Sequence, residues 1–151
     1  MNLSIVVLTW NDWKNTIDCL QSIIKSSYKN YDIILVDNNS DLKHLNFIKK
    51  WQNKEISCNS KFVIPNNQRF KKIIEIKENE IIKPKEKGKQ NIFLIRNKKN
   101  YGLTKGLNIG YKFSINNKYK YILRVDNDVF IEKNCIQNLL INLRDEKIAA
   151  I

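Results

Sequence analysis

Short unbroken runs of Ile, Val and Leu alternate along this chain with segments whose apolar residues return every three or four positions. Leu3 to Thr9 is one such run, and an apolar run without polar alternation marks a strand buried on both faces, as in a parallel sheet. From Trp13 the apolar residues recur at Ile17, Leu20 and Ile24, which predicts a helix with one buried stripe, capped by Asp12. Ile33 to Val36 predicts a second strand that ends in Asp37-Asn38-Asn39-Ser40. Ser40 or Asp41 can then cap a helix that buries Leu42, Leu45, Ile48 and Trp51. Ile92 to Ile95 reads as a third buried strand, followed by a helix from about Leu103 to Ser114 and a strand from Tyr119 to Val125. A last helix, about Asn134 to Leu143, is expected to bury Ile136, Leu139, Leu140 and Leu143, and Ile148 to Ile151 reads as a further strand beginning. This alternation predicts the α/β class: a right-handed, mostly parallel sheet flanked by helices.

Residues 52 to 90 break the rhythm. They hold both prolines, Pro65 and Pro84, and the mixed-charge run Lys71 to Lys89. A compact domain rarely carries so long a structureless loop, so the segment reads as a basic insertion with short elements of its own, including a strand or hairpin at Phe70 to Ile76. At 151 residues the chain suits a single domain. No apolar run approaches the roughly 18 residues that a spanning helix needs, and Met1 to Leu8 lacks the basic start and cleavage site of a secretory signal.

The net charge of +12 is uneven. Residues 1–50 carry six Lys/Arg against five Asp/Glu, residues 51–100 thirteen against five, and residues 101–151 eight against five. The basic middle either attracts polyanions, such as nucleic acid, anionic lipid or phosphorylated substrates, or is simply a solvated lysine-rich face. Cys19, Cys58 and Cys135 are far apart and unpaired in spacing, which argues against a zinc site or disulfide framework and fits a reducing cytoplasm. His44 has no partner spacing of a ligand or triad member and reads as a solvated helix residue.

In an open α/β sheet, ligands collect outside the carboxyl ends of the strands. Polar clusters occupy those ends here: Thr9-Trp10-Asn11-Asp12, Asp37-Asn38-Asn39 and Asp126-Asn127-Asp128. Asp126 and Asp128, one residue apart where a strand breaks into a loop, can turn two hard oxygens to one ligand, which suits Mg2+ or Mn2+ bridging a diphosphate. The same triplet reads equally as an ordinary polar turn. Gly102, Gly106 and Gly110, four apart, line one face of a helix, for close approach of a ligand or for tight packing. Lys105 lies near that helix start and could meet a phosphate. The spacing matches neither a P-loop nor a Rossmann fingerprint.

Ser4-Ile5-Val6-Val7-Leu8-Thr9-Trp10-Asn11, Val36-Asp37-Asn38-Asn39-Ser40, Asn100-Tyr101-Gly102 with Gly106-Leu107-Asn108-Ile109-Gly110, and Asp126-Asn127-Asp128, in this order, resemble the family 2 glycosyltransferases, nucleotide-sugar enzymes with the Rossmann-like GT-A fold. The resemblance covers nearly the whole chain apart from the insertion, which is itself similar to bacterial rhamnosyltransferases of surface-polysaccharide assembly. It implies that Thr9 and Asn11 border the nucleobase and that Asp37 accepts a hydrogen bond from its imide N–H, as suits UDP or dTDP. It implies further that Asn100, Gly102, Lys105 and Asn108 cover the nucleotide and sugar, that Asp128 binds the metal directly, and that Asp126 meets ribose or, through water, the metal. The implied reaction is inverting transfer of a sugar to a glycan or lipid-linked acceptor in cell-surface polysaccharide synthesis, at the cytoplasmic face, with peripheral contact to anionic membrane and no nucleic acid as partner.

The family's catalytic base belongs to the acceptor half, well beyond the Asp-x-Asp motif, whereas Ile151 follows Asp128 by 23 residues. Residues 1–151 are therefore expected to be a donor-binding part, truncated before the acceptor half, with no catalytic base and little turnover alone. Asp145 and Glu146, at the exit of a surface helix, are poor substitutes. The contrasting expectation is a basic α/β module that holds nucleic acid or an anionic surface without catalysis, although the basic segment has no regular aromatic interleaving.

Overall fold

The computed structural model describes residues 2–57, 60, 68–77, 88 and 90–143. Much of the insertion, both prolines, Cys58, Asp145, Glu146 and the expected strand at Ile148 to Ile151 lie outside the described residues. The element order is β1 (Leu3–Thr9), α1 (Trp13–Ile24), β2 (Tyr31–Asp37), α2 (Leu42–Gln52), β3 (Ile73–Lys77), β4 (Ile92–Arg96), α3 (Gly102–Asn116), β5 (Tyr121–Asp126) and α4 (Cys135–Asn142). The described strands form one sheet in the order β3-β4-β2-β1-β5, with every pair parallel. The α/β expectation holds in its stricter form, since all of these strands are parallel.

β1 and β2 are central, and all seven residues of β2 are buried, which is why their sequence is apolar without alternation. One core layer packs Ile5, Val7, Ile33 and Leu35 under α1, α2 and α4; the other packs Val6, Ile34, Val36 and Phe93 under α3. The α3 layer depends on glycine. A Cβ on Gly106 would lie 2.7 Å from Leu8 Cδ1, and one on Gly110 would lie 2.6 Å from Val6 Cγ1. Of the two readings open for the three glycines, tight helix packing is realised at Gly106 and Gly110, whereas Gly102 has open space around it. Gly110→Val is expected to lower the melting temperature by roughly 2–10 °C, from about 1–3 kcal/mol of overpacking. A midpoint unchanged by calorimetry would mean that α3 can lift off the sheet freely.

Several local expectations need correction. The residues before α1 and α2, Asp12 and Asp41, form no side-chain capping bond, and Ser40 instead accepts the Asn11 N–H at 2.8 Å. Leu42 is 64% exposed, because it starts α2 before the helix reaches the core, while Leu45, Ile48 and Trp51 are buried as expected. α1 buries every residue from Thr16 to Ile24 rather than a stripe, with Trp13 half-buried. Leu139 and Leu143 are half-buried, leaving Ile136 and Leu140 as the buried pair of α4. Of the strand or hairpin expected at Phe70 to Ile76, the strand is found, as β3 over Ile73–Lys77, paired in parallel with β4. His44 is half-buried, and its Nδ1 is enclosed without a partner.

Candidate functional site

Parallel strands bring every strand-to-helix loop to one rim of the sheet. Register sets their levels: Thr9 pairs with Asp37 and Leu8 with Asp126, so both acids end their strands at nearly the same height. β1 lies between their strands, which puts the two about 10 Å apart across the rim. Side chains alternate along strands, so Asp37 shares the sheet face of Thr9 and Asp126 shares that of Leu8. A ligand that meets both must therefore lie across the strand ends.

Polar side chains fasten these loops together. Asn11, held at φ 53°, accepts the Asp41 N–H on Oδ1 at 2.8 Å and so joins the β1 and β2 loops. Asn38, nearly enclosed, donates from Nδ2 to Asn100 Oδ1 at 2.7 Å and to the Gly102 carbonyl at 3.2 Å. Its Oδ1 accepts from Asn97 Nδ2 and the Tyr101 N–H, each at 3.0 Å, so the loop before α3 is built on Asn38. Asn127 turns inward and donates to Asp12 Oδ2 at 3.1 Å and Thr16 Oγ1 at 3.4 Å, which latches the acidic turn to the first turn of α1. Beneath it the Cys19 thiol contacts the Asp126 carbonyl at 3.6 Å, and burial first, then the charges of Asp128 and Asp126, push this thiol up to about 12. Cys19 is a neutral packing group.

Asp37 is fully buried. Its Oδ1 accepts the Ser40 N–H at 3.0 Å, while Oδ2 has no hydrogen bond and lies 3.5 Å from Arg96 Nε. Asp126 is exposed and gripped by Arg124, whose Nε and Nη2 reach Oδ1 at 3.1 and 2.8 Å; the hydrogen bond holds the guanidinium proton more firmly than usual. Asp128 is exposed, with no ion pair among the described residues. No group of three or more His, Cys, Asp or Glu that could hold a metal occurs among the described residues.

The other expected residues divide. Thr9 directs its hydroxyl to Thr16 Oγ1 at 2.7 Å, inside the fold. Asn100 spends Oδ1 on Asn38 and the Gly102 N–H. Gly102, at φ 76° with open space around it, starts α3. Lys105 lies over the Tyr101 ring at 4.3 Å, and Asn108 is exposed on α3. Asn38, Arg96, Arg124 and Asn127 were not singled out from the sequence. For Asn38, Arg124 and Asn127 the signal was position beside a strand-end acid, whereas Arg96 ends β4 with no acid near it in sequence and only the fold brings it to Asp37.

An uncharacterised protein of Methanocaldococcus jannaschii is 42% identical over 67 residues, covering 44% of this chain and 29% of its own. Among solved structures, S. aureus TarS 1-349 in complex with UDP-GlcNAc is 19% identical at a TM-score of 0.63, over 97% of this chain and 32% of that one. A mannosyltransferase from Pyrobaculum calidifontis in complex with GDP-Man and Mn2+ is 13% identical at a TM-score of 0.67, over 97% of this chain and 33% of that one. The chain thus spans about a third of the length of these neighbours, whose likeness establishes the GT-A fold. The model of glycosyl transferase family 2 matches residues 4–78 and 75–151, so the loops joined at this rim are those of a family 2 glycosyltransferase, and the chain belongs to that family.

Proposed function

We propose that residues 1–151 form the donor-binding part of an inverting glycosyltransferase, which takes a sugar from UDP or dTDP and passes it to a glycan or lipid-linked acceptor in cell-surface polysaccharide synthesis. The work is assigned to the cytoplasmic face of a membrane, with peripheral contact to anionic lipid. The observation that carries the donor reading is the buried, hydrogen-bond-free oxygen of Asp37 on the same rim as the free carboxylate of Asp128. A buried acceptor without a donor is costly, and an imide N–H of uracil or thymine supplies the missing partner. The solved neighbours in complex with UDP-GlcNAc and with GDP-Man and Mn2+ support a nucleotide-sugar in such a fold.

One exposed carboxylate with a second beside it fits a hard cation that takes its remaining oxygens from substrate phosphates. Asp128 would hold Mn2+ or Mg2+ directly; Asp126, already paired with Arg124, would meet ribose or a metal-bound water. When bound, the metal supplies Lewis-acid neutralisation of the departing diphosphate. Asn11 and the shape of the Thr9 turn border the base, and Asn100, Gly102, Lys105 and Asn108 line the cover over nucleotide and sugar. Inversion needs a general base on the acceptor hydroxyl, and none is assigned within the described residues.

Trp10 is 55% exposed in the β1 loop, and Trp13 stacks on Phe47 at 4.3 Å, so intrinsic fluorescence reports on this rim. Titration with UDP, dTDP and GDP is expected to give a Mn2+-dependent response to the pyrimidine diphosphates that weakens at least about tenfold in Asp128→Ala. Metal-independent binding would remove Asp128 from the role given it, and a preference for GDP would overturn the pyrimidine reading. Tight binding of random DNA with no diphosphate response would favour a basic binding module.

A further inference from the structure

We propose that a second site, for a phosphate ester carried on a polyol, lies at the opposite rim of the sheet, between the C-terminal end of α2 and the start of β3. The concavity there encloses about 680 Å3, and its described lining includes Lys49, Gln52, Lys54, Arg69, Lys71 and Lys72. Glu75 is the one carboxylate among the described lining residues, and Lys49 neutralises it at 2.6 Å. Lys54, Lys71 and Lys72 have no ion-pair partner among the described residues.

Cations near a helix C-terminus are ordinarily explained by the helix dipole, which accounts for Lys49 and Lys54. It does not account for Arg69, Lys71 and Lys72, which come from a separate segment. That wall is fixed in place. The Lys71 N–H is bonded to the Gln90 carbonyl at 2.9 Å, and the Lys72 carbonyl accepts the Ile92 N–H at 2.9 Å. Arg69 lies over the Trp51 ring at 4.7 Å and donates to the Trp51 and Gln68 carbonyls, so its guanidinium is held before any ligand arrives. Gln52 donates Nε2 to the Phe70 carbonyl, which leaves its Oε1 enclosed without a donor. Cations around one orphaned acceptor match a phosphate whose carrier bears a hydroxyl: the cations take the phosphoryl oxygens and Gln52 takes the O–H. A free glycerol- or sugar-phosphate and a phosphatidylglycerol headgroup share that chemistry. α2 runs back from the rim that holds Asp37, which places this site away from the proposed donor site and makes it independent of that reading.

The test uses the 151-residue chain without divalent metal: calorimetric titration with sn-glycerol 3-phosphate, and cosedimentation with phosphatidylcholine vesicles with and without phosphatidylglycerol. Binding is expected in at least one arm, weakened at least about tenfold in Lys54→Gln/Lys71→Gln/Lys72→Gln. Lys112→Gln/Lys118→Gln/Lys120→Gln removes the same charge elsewhere and is expected to stay within about threefold of the parent. Binding of the soluble ester identifies a free phosphate as the source, and binding of vesicles alone identifies the lipid. Absence of binding in both arms, or equal loss in the two triple variants, overturns the site. If circular dichroism shows the first triple unfolded, Lys54→Gln alone is expected to weaken binding about threefold, and an unchanged affinity there overturns it equally.

Discussion

Asp37→Ala is expected to weaken the Mn2+-dependent binding of UDP by roughly 10- to 150-fold, the worth of one hydrogen bond to a buried carboxylate. The carboxylate is enclosed, one oxygen is spent on the Ser40 N–H, and the other is 3.5 Å from Arg96 Nε without a hydrogen bond. That oxygen is desolvated with only the Arg96 ion pair to offset the cost, so a hydrogen-bond donor on the nucleobase would recover part of it on binding. Asp37→Asn separates recognition from architecture. It keeps the shape and one acceptor for Ser40, yet turns an amide N–H toward the base if the other oxygen is replaced, so it is expected to lose nearly as much affinity with an unchanged circular dichroism spectrum. UDP binding by Asp37→Asn at parental strength would remove Asp37 from nucleobase recognition.

Asp32→Ala is expected to cost about 3–5 kcal/mol of stability, read from the urea midpoint, with no need of ligand. Asp32 is wholly buried at the start of β2, where Oδ1 accepts the Asn91 N–H at 3.0 Å and Oδ2 accepts the Tyr119 hydroxyl at 2.9 Å and the Gly88 N–H. One carboxylate thereby ties the residues leading into β4 and β5 to the central strand. Burial first, and then the Asp32 charge and hydrogen bond, raise the Tyr119 phenol well above its ordinary value, so it remains a donor throughout the usual pH range. Alanine would strand these donors inside the fold, whereas Asp32→Asn retains one acceptor and is expected to cost about half as much. An Asp32→Ala midpoint within error of the parent would show that water enters and replaces the carboxylate.

The sequence was most legible where both faces of an element are buried, because there the apolar run has nothing to interrupt it. β1 runs from Leu3 to Thr9 as expected for that reason. β2 starts two residues before the expected Ile33, since Asp32 looks like a loop residue until donors from distant parts of the chain, Gly88, Asn91 and Tyr119 among them, are known. β3 is an edge strand with only Ile76 buried, and its parallel pairing depends on β4 rather than on a pattern of its own. The strand-end acids were legible as chemistry, because carboxylates seldom cluster there without a ligand or a turn to serve. The amides that position them were not. Asn38 and Asn127 are ordinary turn residues by composition, and their partners lie 62 and 115 positions away. At Lys105 the place near a helix start was legible, whereas the Tyr101 ring under its ammonium, at 4.3 Å, was not.

All-parallel pairing has a consequence for how such a chain diverges. The described crossover helices return over the faces of the sheet from its upper rim to its lower, so changes made at the lower turns do not disturb the upper ones. The turn from α2 into β3, which carries Arg69, Lys71 and Lys72, lies at those lower ends and can be recharged or exchanged without moving the strand ends that carry Asp37 and Asp126. Members of the family can thus remodel one rim piecemeal while the residues gathered at the other are inherited intact.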